Sequence, residues 1–172
     1  MGKSYIKMIR KLKTSDIPVI LQWYNWYIEN STSTFETVPV SLQEFTSRLN
    51  NITQTYPCLV LEEDHKLIGY AYISQFNEKQ AYDCTVDLTI YLDPQARKHG
   101  YGSILMREII TYTKQLGYKN IVSLITADNT PSIHLHEKFG FVFKGRLENI
   151  GYKFNKWLDL SYYYLQLEGN QE

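Results

Sequence analysis

A chain of 172 residues is long enough for one domain with its own core and short for two. Eighteen Lys and Arg against eighteen Asp and Glu leave no net field to draw it to nucleic acid or an anionic membrane, so any phosphate site must be local. Two cysteines without C-x-x-C spacing, Cys58 and Cys84, and an N-terminus lacking a long apolar run predict a reduced, cytoplasmic protein with neither signal peptide nor membrane span.

No repeat, low-complexity tract or linker divides residues 1–172, which read as a single domain. Alternating apolar and basic residues predict a first strand over 5–11. Thr14 or Ser15 then caps a helix from about 16 to 30, whose Ile17, Ile20, Leu21, Tyr24 and Ile28 recur at helical spacing. Ser41, with Glu44 three residues on, forms a capping box for a second helix to about 50. The runs 58–62 and 66–76 flank a polar tetrad and read as a hairpin, and 82–92 is a third strand.

After Pro94 the period changes. Ile104, Leu105, Ile109 and Ile110 mark a long helix that Gly117 closes. A short strand follows over 121–127, and Thr130-Pro131 supplies an N-cap and an N1 proline for a helix ending near Phe139-Gly140. Strands over 141–147 and 157–167 complete the chain. Antiparallel strands followed by β-α-β-α-β order predict an α/β fold of the α+β kind: a mixed, mostly antiparallel twisted sheet of six or seven strands flanked by about four helices.

The segment after the third strand suits an anion. Gly100 and Gly102 allow close backbone approach, the first amides of the helix point outward, and Arg97, Lys98 and His99 stand at the rim, Lys98 suited to a 3′-phosphate. A Walker A loop is absent, and Leu105 stands where a dinucleotide fingerprint needs its third glycine. On the preceding strand, alternation places Asp83, Thr85, Asp87, Thr89 and Tyr91 on one face and Cys84, Val86, Leu88, Ile90 and Leu92 on the other, so Asp87 points away from the more apolar layer.

Arg97, Gly100 and Gly102 match the Arg/Gln-x-x-Gly-x-Gly/Ala loop of the GNAT superfamily of acetyltransferases, and the stretch from Asn129 to Phe141, ending in Gly-Phe, resembles its second signature. Trp23-Tyr24-Asn25, Ser33-Thr34-Phe35-Glu36 and the run from Gly151 to Asp159 are similar to the phosphinothricin/methionine-sulfoximine acetyltransferase branch, so the likeness spans nearly the whole chain. Two departures stand out: Lys98 replaces a glycine of the loop, and Thr85-Val86-Asp87 replaces Thr-Val-Glu.

The resemblance implies an enzyme that moves the acetyl group of acetyl-CoA to the primary amine of a small amino-acid-like substrate by direct attack in a ternary complex. It makes Asp87 the acid that orients the ammonium and relays its proton, and sets His136 where many members carry a tyrosine that protonates the departing sulfur. It assigns Ile90, Tyr91 and Leu92 to the pantetheine arm, Lys98, His99, Gly100, Tyr101, Gly102 and Ser103 to the diphosphate, Asn129 to the pantetheine or thioester end, and Lys138 to the adenosine rim. Acceptor contacts fall at Phe35, Glu36, Gln80, Ala81, Tyr82 and Asp87. No metal is expected, since His134 and His136 lie nearly opposite each other on a helix. Trp157, Tyr162 and Tyr164 read as packing or as the surface of a homodimer. The alternatives are an acetyltransferase for a protein N-terminus, a polyamine or an aminoglycoside, and a non-catalytic acyl-CoA sensor.

Overall fold

The computed structural model describes residues 7–96 and 99–167. Strands β1 (Lys7–Lys11), β2 (Cys58–Glu63), β3 (Lys66–Gln75), β4 (Thr85–Leu92), β5 (Asn120–Thr126), β6 (Val142–Lys153) and β7 (Lys156–Gln166) form one seven-stranded sheet. Helices α1 (Ile17–Asn30), α2 (Leu42–Thr53), α3 (Tyr101–Gln115) and α4 (Thr130–Lys138) pack against it. The strand order is β1-β2-β3-β4-β5-β7-β6, and among the described residues β4–β5 is the one parallel pair. This is the mixed, mostly antiparallel α/β architecture expected from the sequence. None of the helices is long and apolar enough to cross a membrane.

The sheet separates two cores, as the alternation along β4 requires. Val86 and Leu88 are buried with Leu105, Met106 and Ile109 of α3, while Tyr91 packs on the opposite side with Tyr70 and the Ile17, Ile20 and Phe45 cluster of α1 and α2. Ser41 accepts from the Glu44 N–H at the start of α2, one half of the expected capping box, while the Glu44 carboxylate bonds Arg48 instead of returning to Ser41, and Gly117 takes φ +87° behind α3 as its position demands.

Four boundaries differ from expectation. Thr14 and Ser15 do not cap α1 but lie with Asp16 in a 3-10 turn, so that Asp16 takes the cap position and the helix starts at Ile17, with its proline at the second position. The cap of α4 is Asn129 rather than Thr130: Asn129 Oδ1 accepts from the Ser132 N–H at 3.3 Å, which moves Thr130 and Pro131 into the first turn. Strand β4 starts at Thr85, because Gln80–Tyr82 closes into a 3-10 turn. Strand β6 continues past Leu147 to Lys153 through an irregularity between Leu147 and Gly151, where Asn149 adopts φ +52° and donates its N–H to Asp159 Oδ1. Asn149 and Gly151 carry the local chemistry of a turn, and here they make a bulge inside a long hairpin.

Candidate active site

Strands β4 and β5 pair only at Thr85–Asn120, Val86–Ile121 and Asp87–Val122. Each then follows its other neighbour, β4 staying with β3 as far as Gly69–Leu92 and β5 with β7 as far as Thr126–Leu160. Beyond Asp87 the two strands therefore diverge, and Leu88 through Leu92 lose a β5 partner. The gap is a cleft of about 470 Å³ lined by both strands, Tyr27, Ser33, Gly102, Asn129, Ser132, Leu135 and His136. Backbone groups on a strand that lacks a neighbour take up an extended ligand by β-type pairing. The cleft opens at the carboxyl ends of β4 and β5, where α3 and α4 begin.

The start of α3 has the geometry expected of an anion site. Gly100 takes φ +76°, a conformation that side chains rarely adopt, and its carbonyl accepts from the Ser103 N–H at 3.2 Å. Gly102 lies in the first turn, whose amides have no preceding helical carbonyl. A Cβ there would stand 3.1 Å from Leu135 Cδ2, so glycine is what lets α3 approach α4. Lys138 Nζ donates to Ser103 Oγ at 2.9 Å, which brings a cation from the end of α4 to the same turn. His99 is exposed there, whereas the Tyr101 hydroxyl donates to Glu63 and its ring is buried. Only the backbone of Tyr101 fits the role expected of it. Arg97 and Lys98 lie outside the described residues.

Asp87 is the last residue of β4 paired to β5, and it lies one residue before the β4 lining of the cleft begins at Leu88, without itself lining it. Its Oδ1 is buried with no hydrogen-bond partner among the described residues, and desolvation raises the carboxyl to about 7. The face that alternation marks as polar is half-buried from Thr85 to Tyr91, and at Tyr91 it packs against the cluster of α1 and α2. A carboxyl with this pKa exchanges a proton readily near neutrality.

His136 is buried on the cleft wall, and its Nδ1 lies 2.7 Å from the Ser132 carbonyl, which can only accept. The proton therefore sits on Nδ1, and burial lowers the ring to about 4 despite that bond, which acts the other way. The buried Nε2 is left as a bare acceptor with no partner among the described residues. An acid for the departing sulfur needs the opposite state, so the acid role expected of His136 is at odds with its surroundings. Ser123 Oγ on the same wall is also buried and unpaired among the described residues, a feature that alternation along β5 gave no reason to single out.

Other nominated residues divide. Ile90, Tyr91, Leu92, Gly102 and Asn129 line the cleft, and Tyr27, which lacks a distinguishing signal in a chain of fifteen tyrosines, donates its hydroxyl to Leu92 O at 2.9 Å. Asn129 also donates to Ser33 Oγ at 3.3 Å. Phe35, Glu36, Gln80, Ala81 and Tyr82 do not line this cleft. Glu36 is engaged by the Tyr24 hydroxyl and by Arg48 at 2.7 Å, so its carboxylate acts on the fold first. Burial would raise that carboxyl, but Arg48 and Tyr24 outweigh it and hold Glu36 below its usual range.

The chain matches the acetyltransferase (GNAT) domain family over residues 9–161. It is 33% identical over 160 residues to a phosphinothricin N-acetyltransferase of Streptomyces viridochromogenes, covering 93% of this chain and 87% of that one. It is 31% identical over 165 residues to an L-methionine sulfoximine/L-methionine sulfone acetyltransferase of Pseudomonas paraeruginosa, covering 93% and 94%. The crystal structure of a phosphinothricin acetyltransferase from Sinorhizobium meliloti in complex with acetyl-CoA superposes with a TM-score of 0.92 at 32% identity, over 96% of this chain and 91% of that one. A diverging strand pair with a glycine-led helix at its open end, in a chain matched along nearly its full length, belongs to the GNAT acetyltransferases.

Proposed function

We propose that the protein transfers the acetyl group of acetyl-CoA to the primary amine of a small amino-acid-like substrate of the phosphinothricin or methionine sulfoximine type. The observation that carries this is the parting of β4 and β5 directly after Asp87, which sets a carboxyl of pKa about 7 at the inner end of an open strand position and the α3 N-terminus at its outer end. In this reading 1–172 is one catalytic domain, and the exposed thiol of Cys84 suits a reducing cytoplasm.

The residues divide the work by chemistry. Backbone groups of Ile90 to Leu92 receive the pantetheine arm, the α3 turn with Lys138 receives the diphosphate, and Asn129 faces the thioester end. Ionised Asp87 takes a proton from the substrate ammonium, and the neutral amine attacks the thioester carbonyl, whose oxyanion is held by a β4 amide. The carbon–sulfur bond breaks, the nitrogen loses its second proton, and one of the two protons returns to the thiolate. Amide, free thiol and one released proton result. His136 enters as an acceptor at Nε2, where it orients a thiol or water.

The test is thiol release from acetyl-CoA across phosphinothricin, methionine sulfoximine, ordinary amino acids, polyamines and peptides. We expect kcat/KM for the first two to exceed that for polyamines and peptides by about 100-fold or more, the discrimination a site built for paired polar groups achieves. Coenzyme binding without thiol release from any amine would sink the enzymatic reading, and a peptide or polyamine preference would move the acceptor class.

We also place a second copy of the chain against the β6–β7 hairpin, where Phe143, Ile150, Tyr152 and Trp157 are exposed. Sedimentation equilibrium at micromolar concentration should give twice the chain mass, with Trp157→Lys shifting it toward monomer; a monomer throughout would exclude this assembly.

A further inference from the structure

Residues 31–36 begin the link 31–41 from α1 to α2, which has neither helix nor strand, so their carbonyls must find partners elsewhere. Four consecutive ones do, each from a side chain distant in sequence. Lys153 Nζ donates to Ser31 O at 2.7 Å and to Thr34 O at 2.9 Å, Thr126 Oγ1 donates to Thr32 O, and the Tyr91 hydroxyl donates to Ser33 O at 3.3 Å. Tyr91 and Thr126 come from the two strands that form the cleft, and Ser33 itself lines it. The segment is therefore tied across the cleft, with Lys153 holding it at Ser31 and at Thr34.

Lys153 is 4% exposed, an unusual place for an ammonium. Burial lowers its pKa, against the pull of Glu36. An apolar side chain would fill the same space without the desolvation cost, so stability is a weak reason to bury a cation here. What an apolar residue lacks is two donors that fix the segment's conformation. A second contact acts on the same segment: a Cβ at Gly151 would stand 2.5 Å from Phe35 Cε2 and 2.7 Å from Cδ2, so the Phe35 ring lies directly on the Gly151 backbone. Lys153 and Gly151, two residues apart on β6, thus set the place of the residues between Ser31 and Glu36.

Resting on the acetyltransferase reading above, we propose that Lys153 is a positioning residue for the amine acceptor: by clamping residues 31–36 over the β4–β5 cleft it shapes the acceptor side of the site, while the segment meets the proposed coenzyme side at Ser33 through Tyr91 and Asn129, bonds that do not involve Lys153. Substrate contact belongs to the clamped segment, and Lys153 acts through it.

The experiment compares Lys153→Met, Lys153→Gln and Gly151→Ala with the unaltered protein by steady-state kinetics and by hydrogen exchange of the 31–36 amides. Lys153→Met should raise KM for the amine about tenfold with KM for acetyl-CoA within about twofold, and should speed exchange in 31–36 but not in β3. Lys153→Gln, which keeps two donors without the charge, should recover most of the amine KM. Gly151→Ala should reproduce the Met effect by displacing Phe35. Unchanged amine KM and unchanged exchange in Lys153→Met would overturn the proposal, as would equal rises in both KM values. Hydrogen exchange needs no turnover, so a protein that releases no thiol refutes the enzymatic reading while the clamp is still decided by exchange.

Discussion

Asp87→Asn is expected to lower acetyl transfer by about 10²- to 10⁴-fold, the span typical of a positioned proton acceptor, while coenzyme affinity measured by calorimetry stays within about twofold. The amide keeps the size of the carboxyl but cannot take the ammonium proton, and the proposed coenzyme contacts lie on β4 beyond Asp87 and at the α3 turn. In the unaltered protein kcat/KM should climb as pH rises through about 7, where the carboxyl ionises, and the variant should lose that limb. A full retention of turnover would remove Asp87 from the chemistry.

The same substitution should stabilise the fold above neutrality. The folded carboxyl titrates at about 7 against 3.8 for the free group, so between those values the folded chain holds a proton that the unfolded chain has released. Its contribution is complete below the lower value and declines as pH rises to the upper one, by at most about 1.4 kcal/mol per unit. His136 runs the other way: lowered from 6.5 to about 4, it contributes stability above 6.5 that is lost as pH falls toward 4. The two slopes oppose each other in the unaltered protein. In Asp87→Asn the His136 slope stands alone, so Tm should be higher than that of the unaltered protein at pH 8 and should fall on acidification from pH 6.5. A variant Tm at pH 8 equal to or below the parent's would show that the buried carboxylate carries no such cost.

The second large effect is expected at Gly69→Ala. Gly69 pairs with Leu92 across β3–β4, and a Cβ there would stand 2.5 Å from Leu92 Cδ2, 2.9 Å from Leu105 Cδ1 and 2.9 Å from Tyr91 O. The two leucine tips have some freedom, whereas the Tyr91 carbonyl belongs to the backbone of β4 and can move only with the strand. Overpacking of this kind costs about 1–3 kcal/mol, or several degrees in Tm for a chain of this length. Because Tyr91 and Leu92 line the cleft, coenzyme affinity should fall together with Tm. Leu105→Ala should not rescue the loss, since it leaves the Leu92 and Tyr91 contacts in place and opens a cavity of its own in the core. An unchanged Tm would mean that β4 has slack which the cleft geometry does not reveal.

Much of this architecture depends on neighbours a few positions apart, and that part was legible. The Ser41–Glu44 cap, the C′ glycine at 117 and the glycine turn before α3 all follow from local backbone chemistry. Alternation correctly sorted Val86 and Leu88 from Asp87 and Tyr91 on β4. Where it failed, a distant element had supplied the deciding contact. Asn149 and Gly151 look like the end of a strand until β7 holds them in a bulge, and the engagement of Glu36, which the resemblance nominates for the acceptor, by Arg48 and Tyr24 has no local signal either.

The order of residues by itself determined the fold class, the family and the positions of the glycine turn before α3 and of Asp87, because helix caps, strand period and motif spacing are properties of short stretches of chain. Only tertiary structure decided that β4 and β5 part after Asp87, that the face which alternation marks as polar packs at Tyr91 against the cluster of α1 and α2, and that His136 is held neutral with its proton on Nδ1. Those outcomes rest on desolvation and on hydrogen-bond partners brought from far along the chain, and neither is encoded within the window that a local pattern can read.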